Sequence, residues 1–179
     1  MSFDDEKRTA ADAGTISSRD HSTGSPARLG FYGAYNHSID AKGRMIVPQG
    51  FRERLGEKII IGVNMAQSSI AIYPYDVWVK KVDILTELAD LDVSAEVFLE
   101  RFAMLSFDNV TFDMQGRVLL PAALREMFMK DASGVQISGA RDYVRVISSQ
   151  QAARETEAFH SEHSNVLAAI SAIQTRVRD

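Results

Sequence analysis

The 179-residue sequence contains no cysteine. That excludes a disulfide framework and any thiolate metal site. It contains no apolar run near the roughly 18 residues that a membrane-spanning helix requires. Its first residues, MSFDDEKR, are acidic and polar, without the basic-then-apolar pattern of a secretory leader. These absences together predict a cytoplasmic protein with no membrane partner. Positive charge is not in surplus: 20 Lys and Arg stand against 24 Asp and Glu, a formal net charge of −4. Attraction of nucleic acid by bulk charge is disfavoured, and only a local basic patch would serve. No glycine-rich phosphate loop follows a strand, and no Ser or Cys sits in a recognisable nucleophile setting. The expectation is a protein that is not an enzyme and uses no cofactor.

What the sequence does contain is a repeated sentence. DAKGRMIVPQGFRERL runs from Asp40 to Leu55, and DMQGRVLLPAALREMF from Asp113 to Phe128. The offset, 113 − 40 = 73, also separates Arg44 from Arg117, Pro48 from Pro121 and Arg52 from Arg125. A constant offset with shared chemistry marks an internal duplication. Each copy parses alike: a strand (AYNHSID, NVTFD), a glycine turn, a returning strand (RMIV, RVLL), a proline and two helical turns, then two more strands (KIIIGV and SIAIY, GVQISG and YVRVIS). Gly56 is expected to close the first of the short helices. Between the copies lie two helical stretches. In the first, Val77, Trp78, Val82 and Leu85 share a face; the second has Ser94 as its expected N-cap. The connector carries seven acids from Asp76 to Glu100, against Lys80, Lys81 and Arg101, which makes it a poor DNA surface.

The predicted organisation is therefore a disordered extension over 1–29, a first repeat over 30–76, a helical connector over 77–106, a second repeat over 107–147 and a helical tail over 148–179. The extension has too few large apolar residues to offset the entropy of ordering. Ser148 and Gln151 resemble a capping box at the start of the tail. Val166, Leu167, Ile170, Ile173 and Val177 lie at helical spacing within it and suit docking on their own domain or on a partner.

Three readings compete for the repeated Asp-x-x-Gly-Arg. The structural one explains Asp40, Gly43, Asp113 and Gly116 fully: Asp accepts local backbone hydrogen bonds and Gly supplies a positive φ. A catalytic aspartate pair sharing a proton needs Thr or Ser and then Gly after each Asp. Here Ala41-Lys42 and Met114-Gln115 follow instead. The third reading is nucleic-acid binding, because an arginine leaving a glycine turn suits bidentate contact with guanine or phosphate. Lys42, Arg44, Arg52 and Arg54 outnumber Asp40 and Glu53 in the first copy, whereas Arg117 and Arg125 only balance Asp113 and Glu126 in the second. By this count the first copy is the better DNA face. His160 and His163 are spaced as a metal pair but lack a third ligand, so no metal site is expected.

YNHSIDAKGRMIVPQGFRERLG, AIYPYDVW and DMQGRVLLPAALRE together resemble the MraZ family, bacterial transcriptional regulators of the division and cell wall gene cluster. The similarity covers roughly Phe31 to Ile147. The resemblance implies an α+β fold: two fused SpoVT–AbrB-type swapped-hairpin β units forming a barrel, with short helices and a helical connector. It implies a ring-shaped homo-oligomer, nucleoid-associated, that binds double-stranded DNA at promoter repeats containing guanines. The family's DNA-contacting arginine maps onto Arg44, with Lys42 beside it, and the second-motif counterpart is Arg117; with Arg52 these are the expected DNA-binding residues. The alternative from another class is an oligomeric scaffold that holds a protein partner and does not bind DNA.

Overall fold

The computed structural model describes residues 30–130 and 132–160. The expected disorder over 1–29, the apolar stripe from Val166 to Val177 and His163 lie outside the described residues. In chain order the elements are β1 (Ala34–Ser38), β2 (Arg44–Ile46), α1 (Gln49–Leu55), β3 (Ile59–Val63), β4 (Ile70–Pro74), α2 (Tyr75–Ala89), α3 (Val93–Met104), β5 (Phe107–Val110), β6 (Arg117–Leu119), α4 (Ala122–Phe128), β7 (Gly134–Gly139) and β8 (Val144–Ser148). A further helix, α5, occupies residues 149–160. The fold is mixed α+β with antiparallel pairing throughout.

Local chemistry explains the element ends. Pro48 and Pro121 sit at the N-caps of α1 and α4, where extended backbone turns into helix and no donor is needed. Gly56 closes α1 with φ of 78°. α3 is capped two residues before the expected position, by Asp92, whose side chain accepts from the Ser94 backbone. Ser94 thus lies inside the helix rather than capping it. The capping contact of Ser148 is present: its Oγ accepts from the Gln151 backbone at 3.1 Å.

Strand pairing follows the duplication but crosses between its copies. The six-stranded sheet has the order β1-β7-β8-β4-β3-β5. That order reads the same if every element of one copy is exchanged for its counterpart in the other. β1 pairs with β7 and β5 with β3, so each copy's first strand lies on the other copy's third. The short strands β2 and β6 form a separate ribbon in which Met45 faces Val118, its own counterpart 73 residues along. A pseudo-two-fold axis passes through this pair.

Two expectations are corrected here. The hairpins foreseen within each copy exist only at their turns. Beyond the turn, the link between the first two strands among the described residues is the single bridge Ile39↔Met45. The sheet also does not close into a barrel. β2 and β6 span three residues each, held between a glycine turn and a helix-capping proline, and they pair with one another. β1 and β5 are left as the two sheet edges.

The core lies between these layers. Every residue of β3 and β4 is buried, as the continuous apolar runs IIIGV and IAIYP require of strands covered on both faces. α2 and α3 supply one cover: Leu85 and Phe102 are buried, and Val77, Trp78, Val82 and Phe98 pack against the cluster. Trp78 stacks on Phe102 at 6.4 Å between ring centroids, and its Nε1 donates to Ser106 Oγ. Beneath the ribbon lie Met45, Val47, Val118, Leu120 and Leu124. α5 is latched to the sheet by Arg145, which donates to both carboxylate oxygens of Glu155 at 2.7 Å.

Crossed pairing makes each half dependent on the other. A fragment of residues 30–106 leaves β1 and β2 without partners, and a fragment of residues 107–160 does the same to β5 and β6. Each fragment alone is expected to show the poor amide dispersion of an unfolded monomer by NMR, with dispersion recovered on mixing. A fragment that folds alone as a monomer contradicts this pairing.

Candidate nucleic-acid interface

The two Asp-x-x-Gly-Arg turns have the same geometry, bond for bond. In the first, Gly43 N–H donates to the Asp40 carbonyl at 2.8 Å and Asp40 N–H to the Arg44 carbonyl at 2.9 Å. Asp40 Oδ1 accepts from the backbone of Lys42 and of Arg44, both at 2.9 Å, and Oδ2 accepts from Arg44 Nε at 2.7 Å. In the second, Asp113 makes the corresponding bonds to Gln115, Arg117 and Arg117 Nε at the same distances. The backbone N–H of the arginine, then its guanidinium and the second turn amide, hold each carboxyl below the usual value of 3.8. A lowered folded-state pKa means that each carboxylate stabilises its turn above that value and releases it as pH falls below.

Each turn is completed by the other copy. Arg52 of α1 donates Nε to the Val47 carbonyl at 3.0 Å, and its guanidinium lies over Gly116. Arg125 of α4 donates Nε to the Leu120 carbonyl at 3.1 Å and lies over Gly43. The backbone repeats the exchange: Val47 N–H donates to the Gly116 carbonyl at 3.1 Å, and Leu120 N–H to the Gly43 carbonyl at 3.0 Å. Both glycines have positive φ, 84° at Gly43 and 73° at Gly116, as the turn chemistry predicts. A side chain at either would also have to displace a guanidinium. A Cβ on Gly43 would lie 2.5–2.7 Å from Cζ, Nε and Nη1 of Arg125, and one on Gly116 would collide with the same atoms of Arg52.

This exchange redistributes the charge that the sequence assigns to each copy. Arg52 belongs with the second turn, not with Arg44. Arg125, which the sequence reading left out of the site, joins Lys42 and Arg44 at the first; the constant offset to Arg52 was the signal that marks it. Arg54 is at neither turn, because its Nη1 donates to the Gly30 carbonyl. The first turn therefore gathers Lys42, Arg44 and Arg125 around Asp40, and the second gathers Arg117 and Arg52 around Asp113. The first remains the more positive, by one charge rather than two.

The ribbon brings the turns onto one surface. Met45 and Val118 point inward and are buried. Alternation then puts Arg44 and Ile46 on the outer face of β2, and Arg117 and Leu119 on that of β6. Arg44 lies opposite Leu119, and Ile46 opposite Arg117. Arg44 and Arg117 are thus two residues apart along the ribbon and one strand apart across it, roughly 8 Å between Cα atoms. Their side chains are about one-third exposed, 32% and 27%. Among the described residues, the Nη nitrogens of both have no hydrogen-bond partner, since Asp40 and Asp113 take only Nε. The arrangement is a pair of guanidinium groups fixed at one edge and, among the described residues, unpartnered at the other. No group of three or more metal-ligating side chains occurs among the described residues, and no helix there is long and apolar enough to cross a membrane.

A family model described as "MraZ protein, putative antitoxin-like" matches residues 31–99. The "Transcriptional regulator MraZ" of Acetivibrio thermocellus is 42% identical over 96 residues, 54% of this chain and 66% of that protein. Its namesake in Desulfitobacterium hafniense is 39% identical over 107 residues, 60% and 73% of the two chains. The one in Halothermothrix orenii is 30% identical over 140 residues, 78% and 96%.

Replacing either turn glycine with alanine adds left-handed backbone strain and displaces a guanidinium that a carbonyl holds. Gly43→Ala and Gly116→Ala are each expected to destabilise the chain by at least about 1 kcal/mol in urea unfolding. A cost near zero at both positions contradicts the packing described.

Proposed function

The chain belongs to the MraZ family, and from that membership we propose that it is a transcriptional regulator that binds double-stranded DNA with the outer face of the β2–β6 ribbon. The observation that carries this reading is the pair of half-free guanidiniums of Arg44 and Arg117 on a two-stranded ribbon. The DNA major groove admits a ribbon of this kind, and arginine is the side chain that pairs with guanine O6 and N7. In this proposal Arg44 and Arg117 read guanine. Lys42, exposed at the first turn, contacts phosphate. Arg52 and Arg125 hold the turns and add positive field. Asp40, Gly43, Asp113 and Gly116 shape the turns. The acids of α2 and α3 keep DNA off the helical side.

The exchange of strands between copies supports two fused swapped-hairpin units. Exposed apolar residues support self-association: Ile84 and Leu88 lie one turn apart on α2, Leu91 is in the turn that follows, and Val93, Val97 and Met104 are exposed on α3. We propose a ring, in which several weakly basic ribbons share one DNA and gain avidity from repeated sites. The proposed targets are promoter repeats of the division and cell wall gene cluster, bound in the nucleoid. The same exposed residues favour a second reading, an oligomeric scaffold for a protein partner without a DNA role.

Arg44→Ala distinguishes the two. The first turn should survive it, because Asp40 Oδ1 and the backbone bonds remain. Losing one guanine contact costs roughly 1–3 kcal/mol per site. Affinity for the DNA upstream of the chain's own gene should fall accordingly, with oligomer mass unchanged on the same sample. Unchanged affinity removes the reading role from Arg44, and no salt-dependent DNA binding by the parent chain favours the scaffold.

A further inference from the structure

We propose that Ile46 and Leu119 are specificity-determining residues that contact thymine methyl groups beside the guanines read by the ribbon. This inference rests on the DNA-binding reading above. Both side chains are large, apolar and about half exposed, 46% and 51%. They occupy equivalent positions, since 119 − 46 = 73. On the outer face of the ribbon each stands directly across from a guanidinium: Ile46 from Arg117, and Leu119 from Arg44.

Strand propensity alone does not account for the pair. A β-branched isoleucine fits an exposed strand, but leucine has no such preference. Packing does not account for it either, because the inward positions of the ribbon are filled by Met45 and Val118. A second copy of the same face is disfavoured by charge. It would set Arg44 and Arg117 against their own equivalents, and the carboxylates of the ribbon turns, Asp40 and Asp113, are already engaged. A surface that is cationic at two points and apolar between them matches the major-groove edge of DNA. There guanine offers two acceptors, and the C5-methyl of thymine is the apolar group. Directly opposed residues on an antiparallel ribbon are about 5 Å apart, against roughly 3.4 Å per base step. Each arginine and its apolar neighbour therefore suit a guanine and a thymine within one or two steps of each other.

The test removes the methyls without touching the protein. The DNA upstream of the chain's own gene is amplified with dTTP or with dUTP, and binding of the full chain to each duplex is measured by fluorescence anisotropy over a salt series. Burial of one or two methyl groups predicts that uracil DNA binds roughly four- to fifteenfold more weakly. The double variant Ile46→Ala/Leu119→Ala should bind thymine DNA more weakly than the parent and show no thymine preference, with unchanged oligomer mass and melting temperature. Equal binding of both duplexes by the parent chain overturns the inference while leaving the DNA-binding reading intact. So does a thymine preference that persists in the double variant, which would assign it to DNA shape. A change of oligomer mass in that variant overturns it by making the face a self-contact. Absence of salt-dependent binding to either duplex removes the DNA-binding reading and the inference with it. The parent-chain comparison needs no variant, so failure of the double variant to fold does not protect the idea.

Discussion

The structure depends on a reciprocal clasp. Arg52 reaches from the first copy onto Gly116 of the second, and Arg125 reaches back onto Gly43. Each arginine is pinned by a carbonyl of its own copy, Val47 or Leu120, and the N–H of that same residue donates to the carbonyl of the opposite turn glycine. Remove either glycine's freedom and the guanidinium above it must move. Remove either arginine and a turn loses the side chain that packs over it. The clasp fixes the two ends of a ribbon only three residues long on each side, too short to hold itself by ladder bonds. It thereby fixes the surface that presents Arg44 and Arg117.

The clasp also resolves a conflict in the composition. The chain is net acidic, yet its candidate DNA surface is basic. Acids and bases are segregated: Asp and Glu dominate the α2–α3 side, while the ribbon face carries three cations at one turn and two at the other. Each turn has one carboxylate, and that group is consumed in shaping the backbone. Because Asp40 and Asp113 accept through both oxygens, they orient the arginines through Nε while taking up neither Nη nitrogen. An aspartate in the turn is therefore compatible with a reading arginine beside it.

Much of the fold was legible in the sequence. The duplication, both glycine turns, both short helices, the apolar face of α2 and the strand GVQISG follow from local rules of periodicity and capping. What was not legible is partnership. β1 and β7 are about a hundred residues apart in the chain, and nothing in AYNHS says that its neighbour is GVQIS rather than RMIV. The returning-strand reading was locally sensible, and it held only as far as the turn. The same limit applies at the site. Arg52 stands eight residues after Arg44 in sequence, so it seemed to belong with it, but α1 carries it to the opposite turn. The residues from Asp40 to Arg44 give the turn and the arginine beside it. They do not give Arg125, which only the crossed topology brings in.

Amide chemical-shift mapping of Arg52→Ala tests the crossed clasp most directly. The perturbations are expected at the second turn, over residues 113–117, and around the Val47 carbonyl, with the first turn at 40–44 little affected. Shifts concentrated at 40–44, with the second turn silent, would contradict the exchange of arginines between the two copies.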